Sequence, residues 1–192
     1  MPLSRLLLKG DIFMAYIKKL ANKGNYTSYS KRNRSDVETI VIHYTSGKGD
    51  TVKNNLEYFH REKVGVSAHI FVDDENWGKS VPLNRVAWAV GKDYRTFSGN
   101  KYEGQYYGIV TNQNSVSIEI CDFCTYKLSK EKIKNIRKAI KHIKKYCPNI
   151  KRVCRHFDVN GKECPFPLLK TNWWNQFLLD VGIDKYGNWL QK

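Results

Sequence analysis

The chain has 192 residues, 41% of them hydrophobic, and 33 basic against 18 acidic side chains give a net charge of +15. That length fits one ordinary domain, and the apolar share suffices for a core, which excludes a wholly disordered chain. No apolar run approaches the roughly 20 residues that a membrane helix needs, and the basic excess points to an anionic partner: nucleic acid, a membrane surface or a cell-wall polymer.

Residues 1–13 contain an apolar stretch too short for a secretory signal and read as an upstream extension. Residues 14–35 are polar and rich in Lys, Asn, Ser and Tyr, and read as an arm. Thr39 to Thr45 predicts the first core strand, with Ile40 and Ile42 on one face and Val41 and His43 on the other. Asp50 or Thr51 caps a helix to about residue 62, with Val52, Leu56 and Phe59 inward. Val66 to Val72 predicts a second strand, Asp73–Asn76 a hairpin turn, and Lys79 to Leu83 the return. Residues 92–114 form a long loop whose tyrosines suit the wall of a groove.

Val116 to Ile120 is the clearest strand, and its Glu119 is flanked by isoleucines. A carboxylate so placed is costly to bury unless paired or close to a metal. Ser129 caps a helix to about Tyr146 with Ile133, Ile136, Ile140 and Ile143 as its apolar stripe and a lysine-rich opposite face. Arg152 to His156 predicts a short strand entering a loop, and Thr171 to Val181 a last helix with Trp174, Phe177 and Leu178 buried. Residues 182–192 read as a tail, which leaves 36–181 as a single domain.

The stretch Arg155 to Pro165 holds an imidazole, a lysine and a thiol. With His43, it supplies His156 and Cys164 as three ligands of one catalytic zinc. Two neutral imidazoles and one thiolate leave a charge of +1 and a fourth position open for water. Glu119 is placed to move the water's proton, and Lys162 to stabilise an oxyanion. These parts describe amide hydrolysis. The five cysteines are odd in number and irregular in spacing, so a disulfide framework is not expected, and Cys121–Cys124 lacks the second pair that a structural zinc would need.

The segments Ile40-Val41-Ile42-His43-Tyr44-Thr45, Val66-Ser67-Ala68-His69, Asn114 to Glu119, and His156 to Pro165 occur in the order seen in type 2 N-acetylmuramoyl-L-alanine amidases. The chain resembles that family, which includes peptidoglycan recognition proteins and many phage endolysins, over residues 36–181. The resemblance implies an α/β fold: one domain, a central mixed sheet flanked by helices, and a zinc-containing groove on one side. It implies Zn²⁺ on His43, His156 and Cys164, catalytic roles for Glu119 and Lys162, and cleavage of the bond between N-acetylmuramic acid and L-alanine. His69, Tyr44, Trp88 and Asn114 are the candidate substrate contacts. The expected partners are peptidoglycan and anionic wall polymers, met by a monomer that is made in the cytoplasm and acts on the wall after release. Nucleic acid is not an expected partner, because the aromatics form no stacking motif. Ala68 stands where some relatives carry a tyrosine, which gives the proton-transfer role to Glu119. A non-catalytic peptidoglycan-binding module is the alternative, but such relatives typically lose the cysteine that is kept here at Cys164.

Overall fold

The computed structural model describes residues 15–91, 95–97, 100–102, 104–185 and 187–190, so the expected extension over residues 1–13 lies outside the described residues. Strands are β1 (Ala15–Lys18), β2 (Tyr26–Thr27), β3 (Thr39–Tyr44), β4 (Ile70–Val72), β5 (Asn76–Lys79), β6 (Val86–Ala87), β7 (Arg95–Phe97), β8 (Asn100–Tyr102), β9 (Ser115–Ile120) and β10 (Arg152–Arg155). The α-helices are α1 (Val52–Arg61), α2 (Lys130–Tyr146), α3 (His156–Asn160) and α4 (Thr171–Val181). Six strands form the central sheet in the order β1-β5-β4-β9-β3-β10. β4, β9, β3 and β10 run parallel, whereas β5 is antiparallel to β4. The sheet is therefore mixed and flanked by helices, as the resemblance implied.

Alternation along the central strands sends side chains to two different cores. Ile40, Ile42, Val116, Ile118 and Ile120 are buried with Ile136, Ile140 and Ile143 of α2 and Phe177 and Leu178 of α4. Each fully buried aliphatic side chain of this kind contributes roughly 1.5–3 kcal/mol. On the opposite face α1 packs Val52 and Leu56 against Phe71, and Val41 and Cys154 pack with Val90, Val110 and Val159.

The helices begin where the sequence places caps. Thr51 accepts from the Asn54 amide, and Ser129 from the Lys132 amide. α4 ends at Gly182, whose φ of 89° lies in the left-handed region that glycine enters without a steric penalty.

Four expectations need correction. The strand expected over 66–72 shrinks to β4, because Val66 is exposed and the Ser67 amide bonds to the Trp88 carbonyl outside the sheet. The return strand starts at Asn76 rather than Lys79. Asp73 is the reason: its Oδ1 accepts from the Glu75 and Asn76 amides, closing a tight turn, while Oδ2 accepts from the first amide of α1. On α2, Lys132 was expected on the solvated face but is buried, its ammonium held by the Asp122 carbonyl and Asp74. Ile133 is only half-buried there, and Ala139 completes the apolar face instead.

The segment expected as an arm also does more than connect. β1 joins the sheet edge beside β5. Arg32 is buried, and its guanidinium donates to the carbonyls of Leu83, Asn112, Gln113 and Ser115. One side chain thus clamps two loops to the edge of the core.

Candidate metal centre and active site

The site lies at the carboxyl ends of parallel strands, where open α/β sheets commonly bind ligands. β3 and β9 pair in parallel with His43 opposite Glu119, so both side chains emerge on the same face, one strand spacing apart. β10 lies on the other side of β3 with Arg155 opposite Ile42, which delivers the next residue, His156, beside His43. The two imidazole centroids are 4.6 Å apart and the rings are inclined by 58°.

The stretch after β10, expected as a loop, opens with the short helix α3. The Asp158 carboxylate accepts from the Arg155 amide and guanidinium, locking the first turn. Gly161 closes α3 with a φ of 75°, a left-handed conformation that costs an L side chain about 1–2 kcal/mol. The chain then doubles back. The Phe157 amide donates to the Cys164 carbonyl at 2.8 Å, and the Cys164 amide to the Lys162 carbonyl at 2.6 Å. This hairpin-like return carries Cys164 under His43, with Sγ 3.7 Å from His43 Nδ1.

One donor atom from each of His43, His156 and Cys164 lies within 4.8 Å of the others. All three residues are buried. Tetrahedral zinc, with Zn–N of about 2.0–2.1 Å and Zn–S of about 2.3 Å, sets neighbouring N and S donors roughly 3.5 Å apart. The 3.7 Å spacing and the His₂Cys donor set therefore fit zinc. His156 Nε2 lies 3.2 Å from the Val90 carbonyl, which can only accept. That nitrogen carries the proton, and the lone pair falls on Nδ1.

Burial sets the electrostatics of the site in the metal-free chain. Burial, reinforced by His156 and Lys162, holds His43 well below the usual imidazole range. Burial pushes the Cys164 thiol up to about 12, with Glu119 adding to the rise and the Tyr44 amide and Lys162 opposing it. Burial also raises Glu119 to about 7, against the pull of Lys162. Its Oε1 stands 3.9 Å from His43 Nδ1, while its Oε2 is buried without a hydrogen-bond partner. The neutral imidazoles offer lone pairs to a dication, the Cys164 thiol would give up its proton to bind one as a thiolate, and the unsatisfied carboxyl oxygen stands free to engage a bound water.

Two recesses flank these donors. One, of about 380 Å³, is lined by Tyr44, Thr45, Tyr58, Glu119, Lys162 and Cys164. The other, of about 260 Å³, is lined by Trp88, Val90, Asn112, His156, Asn160 and Lys162. Lys162 is exposed and shared by both. Tyr44 and Trp88, candidate substrate contacts, thus border the metal centre. His69 and Asn114 do not line either recess. His69 is buried against Ser117, Arg85 and Arg32. Asn114 spends its amide within its own loop, donating to the Ile109 carbonyl and accepting from the Thr111 amide. From the long loop, Tyr107 lines a third, mainly apolar recess of about 540 Å³ together with Val110 and Val159.

Three groups escaped the sequence reading. The Val90 carbonyl is a backbone atom and carries no side-chain signal. Asn112 lies in a stretch rich in polar residues where nothing singles it out. Asn160 had a signal, since it sits between His156 and Lys162 at the end of α3.

Residues 33–167 match the family described as N-acetylmuramoyl-L-alanine amidase, Amidase_2. The chain is 31% identical over 142 residues to the amidase BlyA of Bacillus subtilis strain 168, covering 71% of this chain and 38% of that protein. It is 30% identical over 164 residues to CwlA of the same strain, covering 83% of this chain and 54% of that one. The chain therefore spans about two fifths to half the length of these curated relatives. Among solved structures, the PlyG catalytic domain superposes with a TM-score of 0.64 at 27% identity, covering 91% of this chain and 96% of that domain. The catalytic domain of XlyA gives a TM-score of 0.63 at 24% identity, covering 88% of this chain and 100% of that one, which supports the fold.

Proposed function

The chain belongs to the N-acetylmuramoyl-L-alanine amidase family, and from that premise we propose that it hydrolyses the amide between the lactyl group of N-acetylmuramic acid and L-alanine in peptidoglycan, using one zinc ion held by His43, His156 and Cys164. The observation that carries this reading is the convergence of three buried donors beside a carboxylate whose position is set by the β3–β9 pairing. Zinc, when bound, supplies the Lewis acidity that makes water a nucleophile near neutral pH.

The chain's own groups do the rest. Glu119 accepts the proton of the attacking water through Oε1 and passes it to the departing amine of L-alanine. Its raised proton affinity suits both halves of that task, since a group near pH 7 takes and gives protons readily. Lys162 presents its ammonium between the two recesses, where it stabilises the oxyanion developing on the lactyl carbonyl. Tyr44 and Trp88 orient the substrate on either side. The basic surface draws the protein to anionic wall polymers, and it acts as a monomer on the wall after release from the cell that makes it.

The decisive experiment measures zinc per chain and the release of L-alanine amino termini from purified peptidoglycan. Wild type should hold one zinc and be active. Cys164→Ser should lose metal and activity together. Glu119→Gln should keep zinc and lose roughly 10²–10⁴-fold in turnover. A zinc-loaded wild type that binds wall fragments without releasing amino termini would make the chain a recognition module instead.

A further inference from the structure

The three donors are not supported equally. His43 Nε2 is buried without a hydrogen-bond partner. His156, in contrast, has its outer nitrogen fixed by the Val90 carbonyl at 3.2 Å. That carbonyl is not held by regular structure, since Val90 lies outside every strand. Two asparagine side chains hold it. Asn112 Oδ1 accepts from both the Ala89 and the Val90 amides at 2.9 Å, fixing the two peptide planes that lead into Val90. Asn160 Nδ2 donates to the Val90 carbonyl itself at 2.7 Å. Asn160 Oδ1 in turn accepts from the Lys162 amide at 3.2 Å, at the start of the return that carries Lys162 to the groove.

We propose that Asn112 and Asn160 are positioning residues that aim the Val90 carbonyl, and through it orient His156 for metal binding, with Asn160 also setting the approach of Lys162. This rests on the zinc reading of His156, but not on which bond is cleaved. The physical reason is the usual behaviour of a metal-bound imidazole. Its distal N–H must be engaged for the ring to hold one tautomer and one rotation, and losing that partner commonly weakens metal binding 10–100-fold. Here the partner is a loop carbonyl, so its direction depends on whatever pins the loop. Asn112 is itself pinned, because its own carbonyl accepts from the buried Arg32 guanidinium at 2.9 Å.

The test uses the full chain and three variants: Asn112→Ala, Asn160→Ala and Asn112→Asp. Zinc affinity is read by competition with a chromophoric chelator, and ligand geometry by the visible spectrum of the Co²⁺-loaded protein. Thermal melting of the metal-free proteins monitors folding. Both alanine variants should bind zinc 10–100-fold more weakly and shift the cobalt spectrum. Asn112→Asp keeps an acceptor for both amides and should bind zinc nearly as wild type does. The double alanine variant should lose less than the product of the two single losses, because both act through one carbonyl. Wild-type-like affinity in both alanine variants would overturn the proposal. So would an Asn112→Asp variant as impaired as Asn112→Ala. Because no readout uses peptidoglycan, a chain that binds zinc as expected but releases no amino termini would refute the amidase reading and leave this one standing.

Discussion

At the scale of single residues, His69 shows how a histidine can sit near the candidate metal donors without joining them. The Ser117 amide donates to its Nδ1 at 3.1 Å, so that nitrogen must keep a lone pair. Nε2 lies 3.1 Å from the Arg85 carbonyl and 3.0 Å from the Arg32 guanidinium, which can only donate. A second proton would meet a donor on one side and a cation on the other. Burial first, and Arg32 second, accordingly hold His69 well below its ordinary value of 6.5. The unfolded chain protonates this histidine near pH 6.5, whereas the folded chain resists, so the stability it contributes is present above that pH and lost as pH falls below it. Urea unfolding in the presence of a chelator, at a series of pH values from about 7.5 to 5, should therefore show a steeper loss for wild type than for His69→Gln. Parallel curves for the two proteins would mean that His69 titrates freely. A histidine in a matching sequence segment is thus here a core group, whereas Lys162 and Trp88 line the recess beside His156.

At the scale of elements, the long periodic segments were legible and the short-range geometry was not. Val52, Leu56, Ile136, Ile140, Ile143, Trp174 and Phe177 recur at helical spacing, behind Thr51 and Ser129 in the first two cases, and α1, α2 and α4 form where that pattern places them. The pairing of His43 with Glu119 is a register between strands 70 residues apart in sequence, and no local pattern encodes it. The early return at Asn76 depends on one aspartate bonding to three amides, and the burial of Lys132 depends on partners from two other loops. Such features are tertiary. Gly78 is another. It sits in β5 where α1 crosses, and a Cβ there would stand 2.6 Å from Leu56 Cδ1, 2.9 Å from Val52 Cγ1 and 3.0 Å from the Ile17 carbonyl. Gly78→Ala forces α1 or β1 to move and should cost about 1–3 kcal/mol, read as a lower urea midpoint. An unchanged midpoint would show that the helix–strand contact is looser than the packing indicates. The candidate metal donors lie on β3, at the start of α3 and on the return after it, and β3 stands three strands from β5 in the sheet, so zinc affinity should change far less than stability does.

At the scale of the whole molecule, the question is where a charge of +15 is displayed and what it does. α2 turns its apolar stripe to the sheet and leaves Lys130, Lys134, Lys141 and Lys145 exposed on the opposite side. Lys132 has left that face to neutralise Asp74, and Arg137 donates to the Asp180 carbonyl, so these two bases serve the fold rather than the surface. The metal donors end the strands at the carboxyl edge, while α2 lies against the Ile40–Ile42 face. On the proposed function, the basic helix is free to meet a long anionic polymer while a different segment of the wall meets the groove. Attraction of this kind is screened over about 10 Å at 0.1 M salt and about 3 Å at 1 M. Co-sedimentation with purified walls should fall steeply with added salt. It should fall again when the phosphate-bearing polymers are stripped from the walls before mixing. Replacing Lys134, Lys141 and Lys145 together by glutamine should reproduce the high-salt behaviour at low salt, while hydrolysis of small soluble muropeptides, which are too short to reach α2, stays as in wild type. Wall binding that ignored both salt and these lysines would assign retention to the groove alone and leave the basic helix without a part in it.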